Sequence, residues 1–330
     1  MSTRRRRTVA ISLAATFALA VPGASSASVA LADQAGTPDP AGADTLPDLR
    51  AYAPIPDGVG DADLPDVVSD PGAWADRILD PNAPRAKAIR LHSTFANDGP
   101  YSFEVVGVPT GSGVTDPEPG TMEALQCERW EGPEVNGAQR TCARYAPVGT
   151  MSWDPHHFHV HLEDFTRFAL TEIEADGTPG PVVVEGEKLG FCMIDNIPWS
   201  PTIRDDRPPT WLPSFPGALD LWWFARHGWY KGCSQPPMPG AMYRQGVSPG
   251  WTDTYYSPYP GQQLVIEDPA TGFSVPDGEY LVVFDVNPTG RFLERDRSDN
   301  RAWARIRLFT ENGERELERL GSYAPPAPTG

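Results

Sequence analysis

Proline and glycine decide what this chain can become. There are 37 prolines and 31 glycines in 330 residues. From Leu49 onward they recur so often that long helices have no room, because proline removes a helical hydrogen bond and its ring clashes with the preceding turn. Between these breakers lie short segments of alternating apolar and polar residues, at 88–91, 101–105, 157–162, 264–267, 279–287 and 302–309. Alternation of period two bounded by turn residues predicts strands. The expected fold is all-β, a sandwich or barrel with long irregular loops and few short helices. Two stretches read as irregular: 108–150, which holds Cys127 and Cys142, and 196–250, which is dense in Pro and Trp (Trp199, Trp211, Trp222, Trp223 and Trp229). Packing of a long loop accounts for those tryptophans more simply than a cage for a cation.

The N-terminus reads as a targeting segment. Arg4 to Arg7 precede an apolar run from Val9 to Val21, and Ala30-Leu31-Ala32 offers a cleavage point. This is the pattern of a secretory signal peptide over 1–32, too short in its apolar part for a membrane span. Residues 33–47 then read as a flexible start. The formal charge of −17 becomes −21 once the four arginines of 1–32 are removed. A polyanion of this kind repels nucleic acid and attracts cationic partners such as amines. A soluble extracellular surface would carry the same charge. The four cysteines fit an exported chain with two disulfides. They allow three pairings, and nearness in sequence favours Cys127–Cys142 and Cys192–Cys233. No Cys-x-x-Cys spacing points to a thiolate metal site.

Four of the six histidines fall within 156–161, in Trp153-Asp154-Pro155-His156-His157-Phe158-His159-Val160-His161-Leu162. On a strand, His157, His159 and His161 share one face, while Phe158, Val160 and Leu162 turn to the core. Three imidazoles in a row are an odd solvent face and a sound nitrogen ligand set with coordination positions left open. Spacing alone admits copper, zinc, iron or nickel. His156 belongs to the other face. Asp154, Glu163 and Asp164 are candidates to orient a ligand imidazole, or plain surface carboxylates.

The stretch from Trp153 to Phe165 resembles the copper segment of the lysyl oxidase family, a Trp followed by His-x-His-x-His and an acidic turn ending in Phe. The order of motifs continues downstream. Gly186-Glu187-Lys188-Leu189-Gly190-Phe191-Cys192 resembles the family's Gly-His-Lys-x-x-Phe-Cys, and Ser248-Pro249-Gly250-Trp251-Thr252-Asp253-Thr254-Tyr255 its Ser-Pro-Gly-x-x-Asp-Thr-Tyr. Glu279-Tyr280-Leu281, Val286-Asn287-Pro288 and the acidic turn Glu294–Asn300 complete the similarity, which runs from about Leu49 to Thr310. The resemblance implies a catalytic domain over 48–312, with 313–330 as a tail. It implies copper on His157, His159 and His161, and a lysine tyrosylquinone built from Lys188 and Tyr255. Asp253 is a proton-transfer base by nearness to Tyr255, or a turn residue. A calcium site is implied at Asp48, Leu49, Glu294, Asp296 and Asn300, whose oxygens suit that ion; a solvated acidic turn would look the same. The implied reaction is oxidative deamination of a primary amine, small or peptidyl lysine, by dioxygen. It releases aldehyde, ammonia and hydrogen peroxide, with no nucleic-acid or membrane partner.

The chain also departs from the family pattern. His156 and Trp251 stand where the family has cysteines, Gly261 stands where Trp251's partner would be, and Glu187 replaces the motif histidine. These changes bear on the substrate more than on the chemistry. A non-catalytic copper protein is one rival reading. A cupin-like dioxygenase is another, but it needs further ligands that only His92 and His227 could supply. A zinc hydrolase lacks its His-Glu-x-x-His helix.

Overall fold

The structure is a computed structural model that describes residues 46–62, 85–109, 121–131, 141–154, 159–186, 190–198, 229–233, 243–257, 259 and 261–325. Among these residues the protein is all-β: three antiparallel sheets, and none of the few short helices expected. No described helix is long and apolar enough to cross a membrane.

The first sheet is organised around the long strand β3 (Lys87–Asn97), with which β1 (Leu49–Ala51), β2 (Ile55–Asp61), β12 (Trp251–Tyr255) and β13 (Gln263–Asp268) all pair. Two short strands, β10 (Ile197–Pro198) and β14 (Phe273–Ser274), extend it. The second sheet runs β11 (Tyr243–Val247), β4 (Phe103–Pro109), β5 (Met122–Glu131), β6 (Thr141–Asp154) and β7 (His159–Leu162). In the third, β17 (Glu314–Tyr323), β16 (Arg301–Glu311), β15 (Gly278–Val286), β8 (Thr166–Ile173) and β9 (Pro179–Glu185) follow one another.

Two expectations need correction. The stretch 108–150 is not simply an irregular insertion, because β5 and β6 pair along most of their length within it. Their register shifts near Leu125 and again around Arg129. Each such bulge interrupts the alternation by which a strand is recognised. Nor is 313–330 only a tail, since β17 pairs with β16 from Glu314 to Tyr323. Its mostly exposed, charged sequence is that of an edge strand, which discourages further pairing. Asn312-Gly313, both at positive φ, makes the turn between them, a hairpin signal present in the sequence. Within 196–250, Trp199, Trp211, Trp222 and Trp223 lie outside the described residues. Trp229 is exposed.

One apolar core joins the three sheets. Phe165, the residue that closes the histidine motif, stacks on Phe103 at 5.3 Å and meets Phe95 edge-on at 4.9 Å and Phe292 at 5.4 Å. Its burial anchors the turn after β7, and truncation to alanine should cost about 3–5 kcal/mol. Both disulfides form as nearness in sequence suggests, with Cα separations of 5.8 Å for Cys127–Cys142 and 5.9 Å for Cys192–Cys233.

Candidate functional site: a histidine pair, a clasped tyrosine and an acidic turn

Strand β7 gives the histidine motif its geometry. Val160 and Leu162 are fully buried in the core, so His159 and His161 turn to the opposite face. The strand is held on both sides. It pairs with β6 through Ser152 opposite His161 and Asp154 opposite His159. Its remaining backbone groups are taken by Cys233, Phe191 and the side chain of Gln245. The two Nε2 atoms meet at 2.9 Å, and His161 is only 8% exposed. Two nitrogens bound to one ion at about 2.0–2.1 Å and at a right angle would stand about 2.9 Å apart, a tetragonal arrangement of the kind copper(II) favours. An imidazole–imidazole hydrogen bond has the same length. The third predicted ligand, His157, lies outside the described residues with His156. Among the described residues no three His, Cys, Asp or Glu side chains form a ready ligand group.

Tyr255 reaches the same region from β12. The Ser-Pro-Gly segment that precedes β12 makes a turn: the amide of Trp251 donates to the Ser248 carbonyl at 3.1 Å, and Gly250 adopts φ +74°, open to glycine without strain. Buried Asp195 secures that turn, accepting hydrogen bonds from the Ser248 amide and hydroxyl and from the amides of Trp229 and Tyr230. At the far end of β12 the Tyr255 hydroxyl is clasped by one residue. It accepts from the Cys192 amide at 3.0 Å and donates to the Cys192 carbonyl at 2.5 Å. Burial pushes this phenol well above the usual tyrosine range, and the charge of Asp253 adds to the effect. Asp253 is itself buried and accepts the Ile194 amide at 3.4 Å.

One segment connects the histidines to this tyrosine. Phe191 pairs with Leu162 in both directions, at 2.8 and 3.1 Å, and packs on the Tyr255 ring at 4.6 Å. Its neighbours are Cys192, which holds Tyr255, and Gly190, which lies against His161. A Cβ on Gly190 would come within 3.0 Å of the His161 Cβ and 3.2 Å of its Nδ1. Lys188 lies outside the described residues, two positions before Gly190.

The acidic turn is a second, oxygen-lined place. Asp48 and Leu49 enter β1, and the Arg295 amide donates to the Pro47 carbonyl at 2.8 Å, drawing the turn against them. Glu294 Oε1 accepts from Asn287 and Asn300 at 2.5 and 2.6 Å. Four buried oxygens have no hydrogen-bond partner among the described residues: Asp48 Oδ1, Glu294 Oε2, Asp299 Oδ1 and Asn300 Oδ1. Burial raises Glu294 to about 8, against the pull of its amide partners. Asp299 rises to about 7 through burial and then through the charges of Asp48 and Asp296. Burial and Asp296 raise Asp48 as well. Orphaned acceptors among mutually repelling carboxylates are what a hard cation satisfies. The donor chemistry therefore fits calcium, although no carboxylate cage is closed. Asp299 belongs to the acidic turn read from sequence but not to the calcium set that the resemblance implies; its one signal is its place beside Asn300.

Other candidates have different partners. Asp164 sits at positive φ and pairs with Arg291 at 3.1 Å. His92 faces Asp57 at 3.6 Å and the edge of Tyr256, and His227 lies outside the described residues. No protein-family model matches the chain, and no curated protein matches it.

Proposed function

We propose that the protein is a secreted copper-dependent amine oxidase of the lysyl oxidase type. The observation that carries this reading is the 190–192 segment. Three motifs far apart in sequence meet on three consecutive residues: Gly190 against His161, Phe191 paired to Leu162, and Cys192 around the Tyr255 hydroxyl. His159 and His161, joined by His157, would hold copper. Lys188 and Tyr255 would supply the quinone.

Copper held by the histidines would supply the oxidising chemistry, with dioxygen as oxidant, for a quinone built from Tyr255 and Lys188, and that quinone would supply the electron sink for a primary amine. Overall, amine, dioxygen and water give aldehyde, ammonia and hydrogen peroxide. The chain's own residues set the conditions. Burial keeps Tyr255 a neutral phenol. The Cys192 clasp fixes the position of its hydroxyl. Asp253, two positions earlier on the same face of β12, is the candidate base for the substrate α-proton. The acidic turn would take calcium through Asp48, Glu294, Asp296, Asp299, Asn300 and the backbone of Leu49, tying the start of β1 to the 294–300 turn. The net charge of −17 favours cationic amines as substrates.

The test is amine-dependent peroxide release by the copper-loaded full chain. The expected result is peroxide from the wild type and none from Tyr255→Phe. Copper uptake without peroxide from any primary amine would favour a non-catalytic copper protein.

A further inference from the structure

We propose that Glu163 is the positioning residue for His161: its carboxylate accepts a hydrogen bond from Nδ1–H and so directs the Nε2 lone pair to the metal. This rests on the copper reading above, and it concerns a residue that reading does not use.

Strand alternation brings the group into place. Glu163 follows His159 and His161 at the same period of two, so the carboxylate extends the histidine face at its downstream end. Its amide donates to the Thr150 carbonyl at 3.0 Å, which continues the β6–β7 pairing by one residue. Ser152, the cross-strand neighbour of His161, donates its hydroxyl to Glu163 Oε1. That bond holds the carboxylate against the cross-strand neighbour of His161.

The imidazole turns its Nδ1 edge to the place where this carboxylate lies. Its Nε2 faces His159, so Nδ1 lies on the opposite edge of the ring. Nδ1 and Glu163 Oε2 flank the same point beside Gly190, at 3.2 Å and 3.0 Å from where a Cβ would stand. The absence of a side chain at 190 keeps the place clear. A neutral imidazole carries one proton, and a metal on Nε2 requires it on Nδ1. A carboxylate accepts but cannot donate, so it selects that tautomer. A glutamine can present either its oxygen or its NH2 group, and loses the selection.

Copper binding reads this out without turnover. Metal-free full-length wild type, Glu163→Gln and Ser152→Ala are titrated with copper(II) against a chromophoric chelator. Electron paramagnetic resonance spectra are taken at one equivalent of copper. The expectation is a 10- to 100-fold weaker copper affinity for Glu163→Gln, in line with the loss of an outer carboxylate, and a changed copper hyperfine splitting. Ser152→Ala, which frees the carboxylate without removing it, should shift both in the same direction by less. Thermal melting of the metal-free proteins should be nearly unchanged, since a merely structural glutamate would move the melting curve and leave the copper spectrum alone. Wild-type binding with both variants within twofold, and identical spectra, overturns the role of Glu163 and leaves the copper reading standing. A wild type that takes up no copper overturns both.

Discussion

The histidine face and the acidic turn are both candidate metal sites, and they are built in opposite ways. The histidine face is local. One strand, the residue after it and the paired strand β6 supply His159, His161, Glu163 and Ser152, and the two Nε2 atoms stand 2.9 Å apart. The acidic turn is assembled from distant segments, Pro47 to Leu49 and Glu294 to Asn300, and among the described residues it leaves four buried oxygens without a hydrogen-bond partner. A neutral nitrogen pair tolerates the metal-free state with little penalty. Carboxylates crowded out of water do not. The first place should therefore fold without its ion, whereas the second should show its ion in the stability of the protein.

The largest effect expected on this comparison is at Tyr255. Tyr255→Phe should abolish amine-dependent peroxide and leave copper uptake within a few fold, because the hydroxyl is held by Cys192. Its loss of the clasp should lower stability by about 1–2 kcal/mol in chemical denaturation. Peroxide at wild-type rates from the variant would remove Tyr255 from the chemistry.

Next comes Gly190→Ala. The new methyl group would press on His161 and Glu163, and overpacking of this kind costs about 1–3 kcal/mol. Copper affinity should fall about 10-fold or more, on the scale of an outer-shell disturbance, while calcium-dependent stability stays intact. Loss at both places together would mean that the two sites are not separate.

The acidic turn gives a pH prediction. Glu294 and Asp299 have folded values of about 8 and 7, above their ordinary 4.5 and 3.8. Below about pH 3 both groups are protonated in the folded and unfolded chains, and they contribute nothing. As pH rises the unfolded chain ionises first, so the calcium-free protein loses stability from these groups until the folded values are passed. Calcium should therefore raise the melting temperature more at pH 8 than at pH 5, and Glu294→Gln should shrink that difference. An equal calcium shift at both pH values would argue against these carboxylates as ligands.

The smallest effect on copper belongs to a link outside the histidine face. Cys127 and Cys142 close a 15-residue separation between β5 and β6, worth about 3 kcal/mol by loop closure. Replacing both with serine should lower stability by that order and leave copper affinity unchanged.

How much of this was legible in the sequence follows the same division. The histidine strand could be read directly, because its histidines repeat with the period of a strand and its core face is Val160 and Leu162. The strands at Lys87–Asn97, Gly278–Val286 and Arg301–Glu311 were visible for the same reason. Bulges hid β5 and β6, and charge hid β17. The role of Gly190 could not be read, since a missing side chain signals nothing until the neighbouring His161 and Glu163 are in place. Asp299 was missed because a long-range cluster has no period. The motif order gave Tyr255 its importance; the fold adds that its hydroxyl is held by the residue next to the one paired with the histidine strand.

The most direct measurement is peptide mass analysis of the copper-loaded, reduced and digested protein. The account predicts one covalently joined species containing Lys188 and Tyr255, absent when copper is withheld. Recovery of the two as separate, unmodified peptides from protein that releases peroxide on amine addition would contradict it.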